Sequence, residues 1–194
     1  MKKKYQHKKH EFKNIREKGF FILNEFKSEL INPTLDDILN ADLLNEDYFS
    51  TEEQKIENQK QLDQLTSYAK LKGAYQEEED EGLELYGPML KKKILPSDFQ
   101  KLDYNSYLNK IKSYIDKWTD EGWTDLVEAL TEFHISALEH LVQKSADKRH
   151  YYFLDADLQG DDKLYEINWY NYFFTIVSTL ENSDNVVIFN FGDD

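Results

Sequence analysis

Residues 171–191 read NYFFTIVSTLENSDNVVIFNF, and this stretch decides the fold class. It contains two runs rich in Phe, Val, Ile and Thr, the residue types that favour the pleated surface of a sheet. The polar residues 182–185 between the runs can reverse the chain. Together with HYYFLDADLQG at 150–160, the pattern predicts a small antiparallel sheet over 150–192. Within it, 170–181 fits a strand or a helix, because its aromatic residues also have helical spacing.

Two amphipathic helices are predicted immediately before this sheet. Apolar residues share one face over 104–118, and a broader apolar stripe covers 124–144. The short turn at 120–122 makes the two helices antiparallel neighbours. Their apolar faces predict a helical layer that packs on the sheet.

The N-terminal part of the chain is also predicted to be helical. The basic residues 1–18 are expected to form a solvated first helix, and Thr34 is expected to cap a short one. Another helix is expected over 20–31, where four apolar side chains recur with helical spacing: Phe20, Leu23, Phe26 and Leu30. We therefore expect an α+β fold in which N-terminal and central helices pack on a small C-terminal antiparallel sheet.

The domain organisation is predicted from the chain length and from the positions of glycine, proline and runs of charged residues. A chain of 194 residues fits one domain, expected over 19–194 after the basic segment 1–18. The stretch 74–97 combines five consecutive acidic residues, three consecutive lysines and several Gly and Pro residues. If the domain consists of two lobes, this stretch is where they divide.

Charge and composition limit the partners. Residues 1–18 carry a net charge of +6 within a total of −14, so 19–194 carry −20. Such a body repels nucleic acid and anionic lipid and attracts basic proteins. The absence of cysteine excludes disulfides and thiolate metal sites. No apolar run is long enough for a membrane span or a secretory signal, which predicts a cytoplasmic protein.

The candidate functional residues lie where acidic and aromatic side chains are densest. Rigid aromatic rings among carboxylates are typical of a surface that binds a Lys/Arg-rich protein. The predicted partner-binding residues are Tyr151, Asp155, Asp157, Asp161, Asp162, Glu166 and Trp169. The corresponding function is a non-enzymatic binding protein. It resembles in composition, rather than in any motif, the bacterial immunity proteins and antitoxins that occlude basic nuclease toxins.

Metal binding is the alternative interpretation of the same stretch. Residues 155–166 resemble a calcium-binding EF-hand loop, with ligands at Asp155, Asp157, Gln159 and Glu166 and a bend at Gly160. Gln159 departs from the usual Asp or Asn, and no good helix precedes the loop. The favoured interpretation of the segment is a hairpin turning at 159–162, with Asp155 and Asp157 on one strand face. Asp155, Asp157 and Glu166 would also suit a magnesium-dependent hydrolase.

The histidines give no metal motif in the sequence. His7 and His10 are three residues apart in the basic segment, where neighbouring lysines oppose the binding of a cation. His134 lies on the apolar stripe of the second central helix and is expected to pack in the core.

Overall fold

The strand-rich C-terminal stretch forms the centre of a large antiparallel sheet. The structure, a computed structural model, describes residues 5–15, 19–49, 84–143, 145–164 and 172–193, together with Ile56, Lys60 and Gln64. Six strands pair in the order β1-β2-β8-β7-β6-β5, and β3 pairs with β4 in a separate hairpin. The strands are β1 (Tyr5–Ile15), β2 (Gly19–Ser28), β3 (Leu85–Tyr86), β4 (Met89–Leu90), β5 (Gln100–Leu102), β6 (Arg149–Asp155), β7 (Tyr172–Leu180) and β8 (Asn185–Asp193).

The expected fold class is wrong at the N-terminus. Residues 5–15 and most of 20–31, predicted to be helical, are the strands β1 and β2, so the sheet is large rather than small and C-terminal. β2 pairs with β1 on one side and with β8 on the other. Its Leu23 packs on one face of the sheet and its Phe26 on the other, both almost fully buried. A strand covered on both faces loses the alternation that identifies a strand in sequence.

The two central helices are confirmed. They are α2 (Tyr104–Asp120) and α3 (Thr124–Gln143), and they contact each other across a three-residue connection. Their apolar faces cover one side of the sheet, where Trp118, Leu130 and Phe133 pack against Phe174 and Phe189 of β7 and β8. Among the described residues, no helix is both long and apolar enough to cross a bilayer.

A second layer covers the opposite side of the sheet. It includes the short helix α1 (Leu35–Asn40), whose predicted cap is confirmed: Asp37 N donates to Thr34 Oγ1, and Asp37 Oδ2 accepts from Thr34 N. The β3–β4 hairpin packs beside α1. Ile38 and Tyr86 belong to this second apolar cluster, together with Phe173 of β7.

The connection between β6 and β7 differs from the predicted hairpin. β6 ends at Asp155 and continues into a single 3-10 turn, Ala156–Leu158, so Asp155 and Asp157 do not alternate along one strand. Leu164 then forms an isolated bridge with Met89 of β4. The ambiguous segment 170–181 is a strand from Tyr172 onwards. Residues 74–83 of the predicted lobe boundary at 74–97 lie outside the described residues, and its described part, 84–97, contains β3 and β4.

Candidate functional site

Asp155 lies at the start of the predicted site, and hydrogen bonds hold its side chain in place. It is the last residue of β6, only 5% exposed, and both carboxylate oxygens accept hydrogen bonds. Oδ1 accepts from the backbone N–H of Asp157 at 3.0 Å, which caps the 3-10 turn Ala156–Leu158. Oδ2 accepts from the hydroxyl of Tyr114 on α2. The carboxylate therefore joins the end of the sheet to the helical layer and to the loop that follows.

The residues after Asp155 form an exposed acidic loop, defined here as 156–162. The carboxylates Asp157, Asp161 and Asp162 are all on exposed residues. Leu158 lies among them with 67% of its surface exposed, the largest value among the exposed large apolar residues of the described chain. The acidic loop thus presents one exposed apolar side chain and three exposed acidic residues next to Asp155, whose side chain is held in place.

Two pKa shifts follow from this arrangement. Burial raises the pKa of Tyr114, and the hydrogen bond that its hydroxyl donates to Asp155 raises it further. Partial burial also raises the pKa of Asp157, and the nearby Asp155 carboxylate raises it further. The Lys117 ammonium acts in the opposite direction and lowers this pKa. Tyr114 is therefore a neutral hydrogen-bond donor at neutral pH.

Lysines flank the acidic loop without neutralising its tip. Lys163 forms an ion pair with Asp98, and the Lys93 ammonium donates to the backbone carbonyl of Asp162. Within the described part of the chain, neither the Asp161 nor the Asp162 carboxylate takes part in an ion pair. The tip consequently keeps its negative charge, while the base of the loop is held by local ion pairs and hydrogen bonds.

A shallow polar hollow of about 260 Å³ lies beside the acidic loop. Gln159 at its rim donates from Nε2 to the backbone carbonyl of Asp155 at 3.0 Å. The wall is formed by polar side chains, one leucine and one phenyl ring, contributed by Ser97, Asp98, Gln100, Phe153, Asp155, Leu158 and Gln159. Both of its carboxylates are already engaged within the protein, Asp98 with Lys163 and Asp155 with Tyr114 and the backbone of Asp157.

The structure brings together only part of the predicted partner-binding set. Tyr151 has no exposed surface: its ring stacks on Tyr107 at 4.8 Å between centroids and its hydroxyl donates to the carbonyl of Ala146. A side chain buried in this way belongs to the core, because strand alternation turns it toward α2 and away from a partner. Glu166 and Trp169 lie outside the described residues.

The described part of this stretch, residues 155–164, does not have the geometry of an EF-hand loop. A strand rather than a helix leads into it, and both Asp155 oxygens already accept hydrogen bonds from the protein. Of the remaining predicted ligands, Gln159 is half-buried and Glu166 lies outside the described residues. No group of three or more His, Asp or Glu side chains in the described ranges converges as metal ligands would.

Tyr114 and Leu158 are the site residues that sequence reasoning missed. Tyr114 contacts Asp155 across 41 positions of the chain, and spacing alone does not show such a contact. Its only signal is its place at the edge of the apolar face of α2, where a tyrosine can bury its ring and direct its hydroxyl outward. Leu158 had a clearer signal, since it is a lone leucine within an acidic stretch.

No known protein-family model matches this chain, and neither the curated proteins nor the solved structures contain a significant match to it.

Proposed function

We propose that this protein is a non-enzymatic binding protein whose partner is a basic protein that docks on the acidic loop. The observation that carries the proposal is Leu158, which is 67% exposed on the same loop as the exposed residues Asp157, Asp161 and Asp162. Protein interfaces typically combine an apolar anchor that becomes buried with charges around its rim. The acidic loop has both parts.

The charge of the whole chain supports the same partner chemistry. A net charge of −14 attracts a cationic protein over a distance of several ångströms and disfavours nucleic acid and anionic membranes as partners. Steering of this kind increases the association rate, while the buried anchor sets the dissociation rate. The fixed Asp155–Tyr114 contact supports the proposal further, because a preorganised loop loses little entropy when it binds.

Within this proposal, the partner is a basic toxin or nuclease in the cytoplasm, and the protein acts as an immunity protein or antitoxin. Its mechanism is occlusion, with the carboxylates of the acidic loop taking the positions that substrate phosphates occupy on the partner. No catalytic step is required of this chain.

Affinity capture from an extract of the native host tests the proposal. The full chain is compared with Leu158→Ser and with the triple variant Asp157→Asn/Asp161→Asn/Asp162→Asn. A matched control removes the same number of charges elsewhere, at the exposed positions Asp36, Asp120 and Glu121. We expect a basic protein to be captured by the wild type and by the control. Its affinity should fall about tenfold or more for Leu158→Ser, and its association rate should fall about tenfold for the triple variant at low salt.

Two results would overturn the proposal. One is that every captured protein is acidic or neutral, and the other is that the loop variants bind the basic partner as tightly as the matched control does. If the captured protein is a nuclease, the occlusion mechanism predicts a further result. Its activity must fall when the wild-type chain is added and must be retained when Leu158→Ser is added.

A further inference from the structure

His7 and His10 of β1 lie on the same face of the sheet, although they are three residues apart. In a regular strand, residues at this spacing face opposite sides. The pairing of β1 with β2 shifts register between His7 and Lys9, which leaves Lys8 as the extra residue of a β-bulge. His7 is then opposite Phe26 and His10 opposite Asn24, and both imidazoles face the same side as Asn24.

The two imidazoles converge on one amide oxygen. His7 Nε2 and His10 Nδ1 each lie 2.9 Å from Oδ1 of Asn24. The Asn24 side chain is 1% exposed, and its Nδ2 donates to the backbone carbonyl of Tyr48 at 2.9 Å. This second hydrogen bond fixes the amide, so that the oxygen and not the nitrogen faces the two histidines.

The ring of His7 is held from both sides. It stacks on Phe26 at 4.9 Å between centroids and meets the edge of Tyr48 at 5.1 Å. His7 itself is exposed to solvent. Two nitrogens and one oxygen therefore lie close together next to an exposed side chain.

We propose that His7, His10 and Asn24 form a binding site for a divalent transition-metal ion of the nickel and copper type, with water in the remaining positions. Imidazole nitrogen and amide oxygen are suitable ligands for such ions. At metal–ligand distances of about 2.05 Å, a nitrogen and an oxygen 2.9 Å apart subtend about 90° at the metal. Right angles suit octahedral and square-planar coordination better than the tetrahedral geometry typical of zinc.

Binding requires each ligating nitrogen to present a lone pair in place of the proton that it now shares with Asn24. The buried Nε2 of His10 has no hydrogen-bond partner among the described residues, so moving the proton to this atom breaks no bond there. One of the neighbouring lysines does not face the two imidazoles. Lys9 lies on the opposite face of β1, where it forms an ion pair with Glu11.

Titration of the full chain with Ni²⁺, followed by calorimetry, tests this site. We expect one equivalent to bind, with the affinity reduced at least tenfold in His7→Gln and in His10→Gln. His150→Gln is the matched control, because His150 lies on β6 with an exposed ring that faces Glu181, and this variant should bind like the wild type. Thermal unfolding of each variant without metal verifies that β1 still pairs with β2.

A spectroscopic readout locates the ion independently. Addition of Cu²⁺ should broaden the NMR signals of His7, His10 and the Asn24 side-chain amide first. The proposal is overturned if the wild type binds no Ni²⁺ at millimolar concentration, or if the folded His7→Gln and His10→Gln variants bind it as tightly as His150→Gln does. Neither outcome depends on the acidic loop, which is a separate surface.

Discussion

Two stacked tyrosines in the core differ by one hydrogen bond, and this difference allows a direct test at the scale of single residues. The rings of Tyr107 and Tyr151 are nearly parallel, at 8°, and neither residue has exposed surface. The Tyr151 hydroxyl donates to the carbonyl of Ala146 at 2.8 Å, whereas that of Tyr107 has no partner among the described residues. Removing a satisfied hydroxyl costs a hydrogen bond, and removing an unsatisfied one does not.

We therefore expect Tyr151→Phe to lower the free energy of unfolding by about 0.5–1.5 kcal/mol. Tyr107→Phe should leave it unchanged or raise it, because the polar atom that it removes is buried without a partner. Urea denaturation of the two variants, each compared with the wild type, measures the difference. An equal loss in both variants would contradict this account and would mean that a buried water satisfies Tyr107.

The same residues show how much of the candidate site the sequence could reveal. The exposed acids Asp157, Asp161 and Asp162 follow from composition, because carboxylates in a polar connection remain in water. The burial of Tyr151 depends on which face of β6 meets α2, and this is a property of the assembled layers. The contact of Asp155 with Tyr114 joins two elements that are distant in the chain, so no local pattern contains it.

At the scale of elements, the turn of the β3–β4 hairpin requires glycine for two separate reasons. Gly87 has a φ of +56°, and a Cβ added there would lie 2.6 Å from the ring of Phe173. Gly122, between α2 and α3, has a φ of +76° with no atom within 4 Å of such a Cβ. The two glycines thus separate the cost of the backbone conformation from the cost of a steric clash.

Gly122→Ala should lower the free energy of unfolding by about 1 kcal/mol, the cost of a left-handed backbone for an L-residue. Gly87→Ala should lower it by about 3 kcal/mol or more, because the hairpin must also move away from the buried ring of Phe173. Chemical denaturation of both variants provides the comparison. Equal losses would show that the hairpin adapts to the added methyl group without cost.

Elements with local signals could be predicted, and those whose pattern comes from tertiary burial could not. The helices α2 and α3 have one apolar face each, and Thr34 caps α1 through its own neighbours. β2 lies between two apolar layers, so its apolar residues follow no period of two, and by chance they match a helical spacing. β1 is an edge strand rich in lysine, and this composition protects an open sheet edge. The same composition makes the strand difficult to recognise in the sequence.

At the scale of the whole molecule, the two-sided sheet buries several tyrosine side chains fully or in part. Burial is the main cause that raises the pKa values of Tyr86, Tyr107, Tyr114 and Tyr151, which lie on both sides of the sheet. In the unfolded chain, tyrosine ionises near pH 10. Each of these residues therefore binds its proton more tightly in the folded state than in the unfolded state.

The sign of the resulting pH dependence follows from this difference in proton binding. Below about pH 10 the four phenols are protonated in both states and contribute no slope. Above it, the unfolded chain loses protons that the folded chain retains, so the free energy of unfolding falls as the pH rises.

We expect urea denaturation to show a steep loss of stability above about pH 10, and tyrosinate absorbance to rise together with the loss of circular dichroism. In Tyr107→Phe, with one such phenol fewer, the slope should be shallower. Gradual tyrosinate formation by all tyrosines near pH 10, in a chain that keeps its native spectrum, would show that these phenols are accessible to solvent and would contradict the two-sided core.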